Sequence, residues 1–153
     1  MPDIVILDLD GTLIDTDCIG HLMGDWEAFH PATFDCPPRV GVVELAKRLQ
    51  ALCRIVVVTG KPERFLAKTR NYLSVQGIIP DAILMRPEHS SMPDAELKPA
   101  LMADEFGASW KEAVICAIED RDKMVDAWRA EGILCLQAAP CLETKMRKER
   151  ENA

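Results

Sequence analysis

No part of this 153-residue chain approaches the roughly 18 consecutive apolar residues of a membrane span, so no spanning helix and no membrane partner are expected. Positive charge is also scarce. Eighteen Lys+Arg against 25 Asp+Glu leave a net charge of −7, which disfavours sequence-independent wrapping of long nucleic acid, since that needs a broad basic surface. It does not exclude action on a nucleic-acid end or a nucleotide, where a small positive patch suffices. The six cysteines include no C-x-x-C pair, and with a first strand starting at Asp3 there is no room for a leader segment. A disulfide framework is therefore not expected, and a cytoplasmic location is. Repeats and low-complexity linkers are missing as well. The expectation is one domain over residues 1–153, with a short flap at about residues 15–38.

What is present is ordinary globular composition, 48% hydrophobic and 28% charged. Ile4–Leu9 is a near-continuous apolar run, as in a strand covered on both faces. Residues 15–38 carry Gly20, Gly24, Pro31, Pro37 and Pro38 and read as irregular. Helical spacing over Val40–Leu52 puts Val43, Leu45, Ala46, Leu49 and Leu52 on one side. Arg54–Thr59 reads as a second buried strand, and Pro62 as the first turn of a helix with Phe65, Leu66, Thr69, Tyr72 and Leu73 on its apolar side. Then come a strand at Ala82–Met85, a helix at Ala95–Phe106, a strand at Val114–Ile118, a helix at Lys123–Glu131 and a strand at Ile133–Leu136. This rhythm implies an α/β, Rossmann-like three-layer sandwich around a mainly parallel five-stranded sheet. The basic tail Lys145-Met-Arg147-Lys148-Glu-Arg150 reads as a solvated helix end. Cys18, His21, His30 and Cys36 gather two thiols and two imidazoles, but their spacing fits no common zinc pattern.

In such folds ligands bind beyond the carboxyl ends of the strands. The first strand ends in Asp8-Leu-Asp10-Gly11-Thr12, the second in Thr59-Gly60, and the fourth in Glu119-Asp120. Lys98 lies in the helix before the fourth. D-x-D-G is not a calcium EF-hand, because Gly11 stands fourth where that loop needs its glycine sixth. Crowded carboxylates need a positive centre, and Mg²⁺ suits a few carboxylates plus a phosphate. A hydroxyl, backbone N–H groups and a lysine can hold phosphate oxygens. One carboxylate can attack phosphorus while a second moves protons. The set is one for phosphoryl transfer through an aspartyl-phosphate. Gly11 would let the chain turn so that N–H groups there and at Thr12 face the phosphate.

The motifs D-L-D-G-T-L (8–13), V-V-V-T-G-K (56–61), Lys98 and I-E-D-R-D-K-M-V-D-A-W-R (118–129) resemble those of the haloacid dehalogenase superfamily of phosphatases. The resemblance implies a phosphomonoesterase without a large cap domain. In it Asp8 is the nucleophile and Asp10 the general acid/base, and Thr59 and Lys98 bind phosphate. Mg²⁺ is held by Asp8, the backbone carbonyl of Asp10, and Asp120, with Glu119 as a supporting or alternative acid. E-D-R-D-K-M-V-D-A-W-R-A-E-G-I-L-C-L-Q (119–137), D-A-I-L-M-R-P (81–87), P-D-A-E-L-K (93–98) and D-W-x-x-F at Asp25, Trp26 and Phe29 are similar to the polynucleotide kinase 3′-phosphatase domain. No G-x-x-x-x-G-K-[ST] loop occurs, so kinase activity is not expected. That group usually carries Arg where this chain has Lys61 and Asp where it has Glu119. Lysine keeps the charge but loses the bidentate fork.

The implied substrate is a nucleic-acid 3′-phosphate end or a nucleotide. A general small-molecule phosphatase, and a catalytically weak phosphate- and Mg²⁺-binding regulator, stand as alternatives. Gly60, Lys61, Arg86, Glu119, Arg121 and Trp26, with Gly11 and Thr12, are the candidates for phosphate or substrate contact. Lys61, Arg64 and Lys68 share one side of the second helix, at i, i+3 and i+7, and could track a nucleotide backbone; Trp26 could stack on a base, and His21 could touch substrate.

Overall fold

The computed structural model describes residues 1–153. Its strands are β1 (Ile4–Leu7), β2 (Arg54–Pro62), β3 (Ala82–Arg86), β4 (Val114–Glu119) and β5 (Cys135–Gln137). They form one sheet in the order β3-β2-β1-β4-β5, every neighbouring pair parallel. The helices are α1 (Trp26–Ala32), α2 (Val40–Leu49), α3 (Leu66–Val75), α4 (Asp94–Phe106), α5 (Trp110–Ala113), α6 (Asp122–Ala130) and α7 (Leu142–Glu151). None is long and apolar enough to cross a membrane.

β1 lies at the centre because it is apolar on both faces. Val5 and Leu7 pack with Val42, Val43 and Ala46 of α2 and Leu73 of α3. Ile4 and Ile6 pack on the other face with Met102 of α4 and Met124, Val125 and Trp128 of α6. Alternation along a strand sends successive side chains to opposite faces, so one four-residue strand anchors both layers. The chain leaves β1 toward β2 and β3 and returns to its other side with β4 and β5. The carboxyl ends of β1, β2 and β4 therefore stand side by side at the point where the winding reverses.

Three readings are corrected. Residues 15–38 are more ordered than the prolines and glycines suggest: 3₁₀ turns at Asp17–Leu22 and Thr33–Asp35 flank α1. The Asp25 carboxylate caps α1 by accepting the Ala28 N–H at 3.2 Å, and Pro31 sits only in its last turn. In α2, Leu45 is exposed, and Leu52, beyond the helix end, is more so; the inward face is Val42, Val43 and Ala46. The third correction bears on the site. β2 runs on to Pro62, which pairs with Arg86 after a register shift past Thr59. Gly60-Lys61-Pro62 is thus strand, not helix, and the stripe of Lys61, Arg64 and Lys68 does not form. The tail is helical, as read, in α7.

Candidate active site

Asp8 stands one residue beyond β1, with its N–H donated to Ile118 O of β4 at 3.1 Å. Its carboxylate is almost wholly buried. Oδ1 accepts from Lys98 Nζ of α4 at 2.7 Å, and Oδ2 accepts from Thr12 Oγ1 at 2.9 Å. The same ammonium pairs with Glu119, the last residue of β4. Thr12 Oγ1 also lies 3.2 Å from Asp120 Oδ1. Asp8, Glu119 and Asp120 thus each offer an oxygen within 4.8 Å of the others. Three carboxylates against one ammonium leave an excess of two negative charges inside the protein if all ionise.

The titration behaviour follows from that excess. Burial, then the Asp8 charge, pushes Glu119 up to about 7. Burial, then Asp8 and Glu119, pushes Asp120 up to about 8. Burial opposes the charge on Lys98, but Asp8, Glu119 and Asp94 outweigh it and hold that ammonium above the ordinary lysine value. An all-oxygen, buried, over-negative donor set fits a hard divalent cation such as Mg²⁺. Gly11 belongs to the same packing: its φ is +87°, and a Cβ there would overlap the Asp120 carboxylate.

A second ion pair adjoins the first. The Asp10 carboxylate turns away from the Asp8 cluster, and its Oδ2 lies 3.1 Å from Lys61 Nζ. Burial raises the Asp10 carboxyl above its ordinary value, although Lys61 opposes this. Lys61 is fully buried, and its own pKa is lowered by burial despite Asp10. Lys61 is among the residues that line the cavity, but its ammonium is engaged within the protein, donating to His30 O at 2.9 Å and to Thr33 Oγ1 at 2.7 Å. Thr59 Oγ1 accepts the Lys61 N–H at 3.1 Å, which leaves the threonine proton to be given elsewhere.

A cavity of about 680 Å³ opens over these groups. Asp8, Asp10, Thr59, Gly60, Lys98 and Asp120 form its floor; Trp26, His30, Arg64, Arg86 and Arg121 stand on its walls. Two further expectations, for Glu119 and for the Gly11 and Thr12 N–H groups, are corrected here. Glu119 is not on the wall; it braces Lys98 from below and accepts the Asp120 N–H at 3.2 Å. The Gly11 and Thr12 N–H groups are spent on Ile14 O and Leu9 O, so they do not face the cavity. The Cys18–His21–His30–Cys36 set does not assemble. The Cys18 and Cys36 sulfurs lie 3.3 Å apart, but His30 Nδ1 faces Asp10 at 4.0 Å and His21 is exposed, off the cavity.

Arg86 and Arg121 reach the wall as a clamp. Arg86 Nε donates to Gly60 O at 2.9 Å, and its guanidinium pairs with one oxygen of Asp94. Arg121 donates to the other oxygen at 2.8 Å. A side chain at Gly60 would overlap that carboxylate, which is why the strand passes this point as glycine. Asp94 was not among the expected site residues. Its signal was its place four residues before Lys98, on the same face of α4. Trp26 is 46% exposed and stacks on His30 with ring centroids 5.9 Å apart, while Phe29 is buried beneath.

The fold, with its acids and lysine at the strand ends, defines a haloacid dehalogenase-type phosphatase. Among solved structures, the CbbY protein of Rhodobacter sphaeroides in complex with phosphate shares the fold at 16% identity and TM-score 0.62, over 93% of this chain and 88% of that one. A family model described as the polynucleotide kinase PNKP phosphatase domain matches residues 2–141, and the chain belongs to that family. Two chains from structures of the Pnkp1/Rnl/Hen1 complex are similar over 92% of this chain. One, described as an RNA repair complex, has 24% identity and TM-score 0.77, and the other 25% and 0.75. This chain spans only 43% and 47% of their lengths. No curated protein matches.

Proposed function

We propose that residues 1–153 form one domain that hydrolyses phosphomonoesters through an aspartyl-phosphate on Asp8, and that its substrates are nucleic-acid 3′-phosphate ends or the corresponding nucleotides. The observation that carries the chemistry is the Asp8–Lys98 pair on the cavity floor, 2.7 Å apart, beside a second carboxylate, Asp10, that is not tied to Lys98. The Asp8 carboxylate attacks phosphorus and the ester P–O bond breaks. The departing alkoxide takes a proton from Asp10. Water then attacks the phosphoryl group, gives its proton to Asp10, and releases phosphate and Asp8. Lys98 and the Thr59 hydroxyl hold the phosphate oxygens. Asp8, Asp120 and the Asp10 carbonyl would hold Mg²⁺, which supplies positive charge against the developing oxyanions. Glu119 keeps Lys98 charged and in place. The nucleic-acid reading is supported by the family, by the RNA repair complex in which a similar chain stands, and by a cavity far larger than phosphate with Trp26 half exposed at its wall.

The test is phosphate release, with Mg²⁺, from a 3′-phosphorylated oligonucleotide, from 3′- and 5′-mononucleotides and from sugar phosphates. The oligonucleotide or 3′-nucleotide is expected to be turned over fastest; a preference for sugar phosphates ends the nucleic-acid reading. Asp8→Asn is expected to remove turnover altogether while the thermal transition stays cooperative. Near-wild-type activity in that variant sinks the mechanism.

A further inference from the structure

We propose that Lys61 is a positioning residue that fastens the Asp10 carboxylate to α1, so that the proton-handling group and the aromatic wall of the cavity behave as one rigid part. This inference rests on the role given to Asp10 above. An ammonium has three donors and no acceptor. Two of those of Lys61 go to α1 and its end, to His30 O at 2.9 Å and Thr33 Oγ1 at 2.7 Å. Its remaining side faces Asp10 Oδ2 at 3.1 Å. None is left for a ligand.

The head group is also fixed sideways. It lies over the Phe34 ring, 4.6 Å from the centroid, and 5.6 Å from that of Phe65. Thr33 is itself steered, since its hydroxyl donates to the same His30 carbonyl at 2.9 Å. With Oδ2 held, Asp10 Oδ1 is left buried and without a hydrogen-bond partner, and Asp10 is on the cavity floor. The tether therefore fixes the orientation of the carboxylate. It also joins that carboxylate to the helix that carries Trp26 and His30 on the wall. Strand geometry makes this arrangement: because β2 continues through Pro62, the Lys61 side chain enters the interior instead of starting a helix at the rim.

Two variants test it. Lys61→Met keeps the buried stem and removes the charge and donors; Thr33→Val removes only the hydroxyl that steers them. Each is assayed on a 3′-phosphorylated oligonucleotide, whose alkoxide leaving group needs a proton, and on p-nitrophenyl phosphate, whose leaving group does not. The step that separates the two esters is leaving-group departure, so it is read in a single turnover, before water attacks the phosphoryl group. For Lys61→Met, release of the dephosphorylated oligonucleotide is expected to slow about 10²-fold at unchanged half-saturation, with release of p-nitrophenol within roughly threefold of wild type. Thr33→Val is expected to show the same split at about one-tenth the size. Weaker half-saturation with the single-turnover rate kept, or equal single-turnover losses on both esters, overturns the proposal. Hydrogen exchange is read in parallel. Amides of residues 28–33 are expected to exchange at least about 10-fold faster in Lys61→Met, and unchanged exchange overturns the tether. Wild-type protein that releases phosphate from neither ester sinks the enzymatic reading by itself, and the exchange measurement still decides the tether. If Lys61→Met lacks a native near-UV spectrum, Thr33→Val carries both measurements.

Discussion

Two lysines are buried near the same end of this sheet, and their surroundings differ above all in counter-charge. Lys98 faces two carboxylates, Asp8 and Glu119. Lys61 faces one, Asp10, together with a carbonyl, a hydroxyl and two aromatic rings. Burial opposes the charge on both. It is outweighed at Lys98, whose ammonium is held above the ordinary lysine value, and prevails at Lys61, which is held below it. Counter-charge, rather than depth, decides which buried cation is firmly charged. On the proposed mechanism, the first site keeps a charge beside the reacting phosphate, and the second holds a carboxylate in one orientation.

The largest effect expected from breaking this comparison is at Lys98. Lys98→Met leaves Asp8 and Glu119 without their counter-ion. A loss of about 3–5 kcal/mol in unfolding free energy is expected, together with a fall of about 10²–10³ in kcat. Denaturant unfolding and single-turnover rates measure the two. Removal of the metal comes next. In the unfolded chain Glu119 and Asp120 ionise near pH 4, but folding pushes them up to about 7 and about 8. Between these ranges the folded protein keeps protons that the unfolded chain has released, so stability without metal falls as pH rises from about 4 to 8. A divalent cation binds the ionised carboxylates, so its stabilisation grows over the same interval. Mg²⁺ at a hundredfold excess over Kd is expected to add about 2.7 kcal/mol at pH 8 and much less at pH 5. Equal thermal shifts at both pH values would remove the carboxylates as the ligands.

Lys61→Met is expected to cost less, about 1–2 kcal/mol. Asp10 is partly open to the cavity and already inclined to hold a proton, and the Thr33 hydroxyl still satisfies His30 O. If this variant loses as much as Lys98→Met, the single-counter-ion account of the site is wrong.

The contrast also explains what could be read from the residues alone. Asp8, Thr59, Glu119 and Asp120 were legible because each follows an apolar run, and parallel strands bring such ends together whatever the loops do. Lys98, within a helix, was legible only through the motifs by which the chain resembles the phosphatases. Lys61 was not, because Gly60-Lys61-Pro62 has the composition of a turn. Its direction depends on Pro62 pairing with Arg86 across the sheet and on a helix roughly thirty residues earlier whose carbonyl and hydroxyl receive it. Long-range partners of that kind leave no local pattern. Asp94 lay between these cases. Its spacing to Lys98 was visible, but its grip on two arginines around Gly60 is a property of the folded edge.

The smallest expected effect supplies the control for the whole comparison. Arg64 is a third cation, three residues beyond Lys61, and it bonds two carboxylates, Glu27 at 3.1 Å and Glu88 at 2.9 Å. By counter-charge alone it would rank with Lys98. Its pairs, however, stand at the rim in water, where solvent screens the attraction and three mobile side chains must be held in register. Arg64→Ala is therefore expected to change unfolding free energy by less than about 1 kcal/mol, and by less still at high salt. A loss as large as that of Lys98→Met, or one that salt does not reduce, would mean that counter-charges act here without the help of burial. Lys98 and Lys61 would then differ for a reason other than the one drawn from their partners.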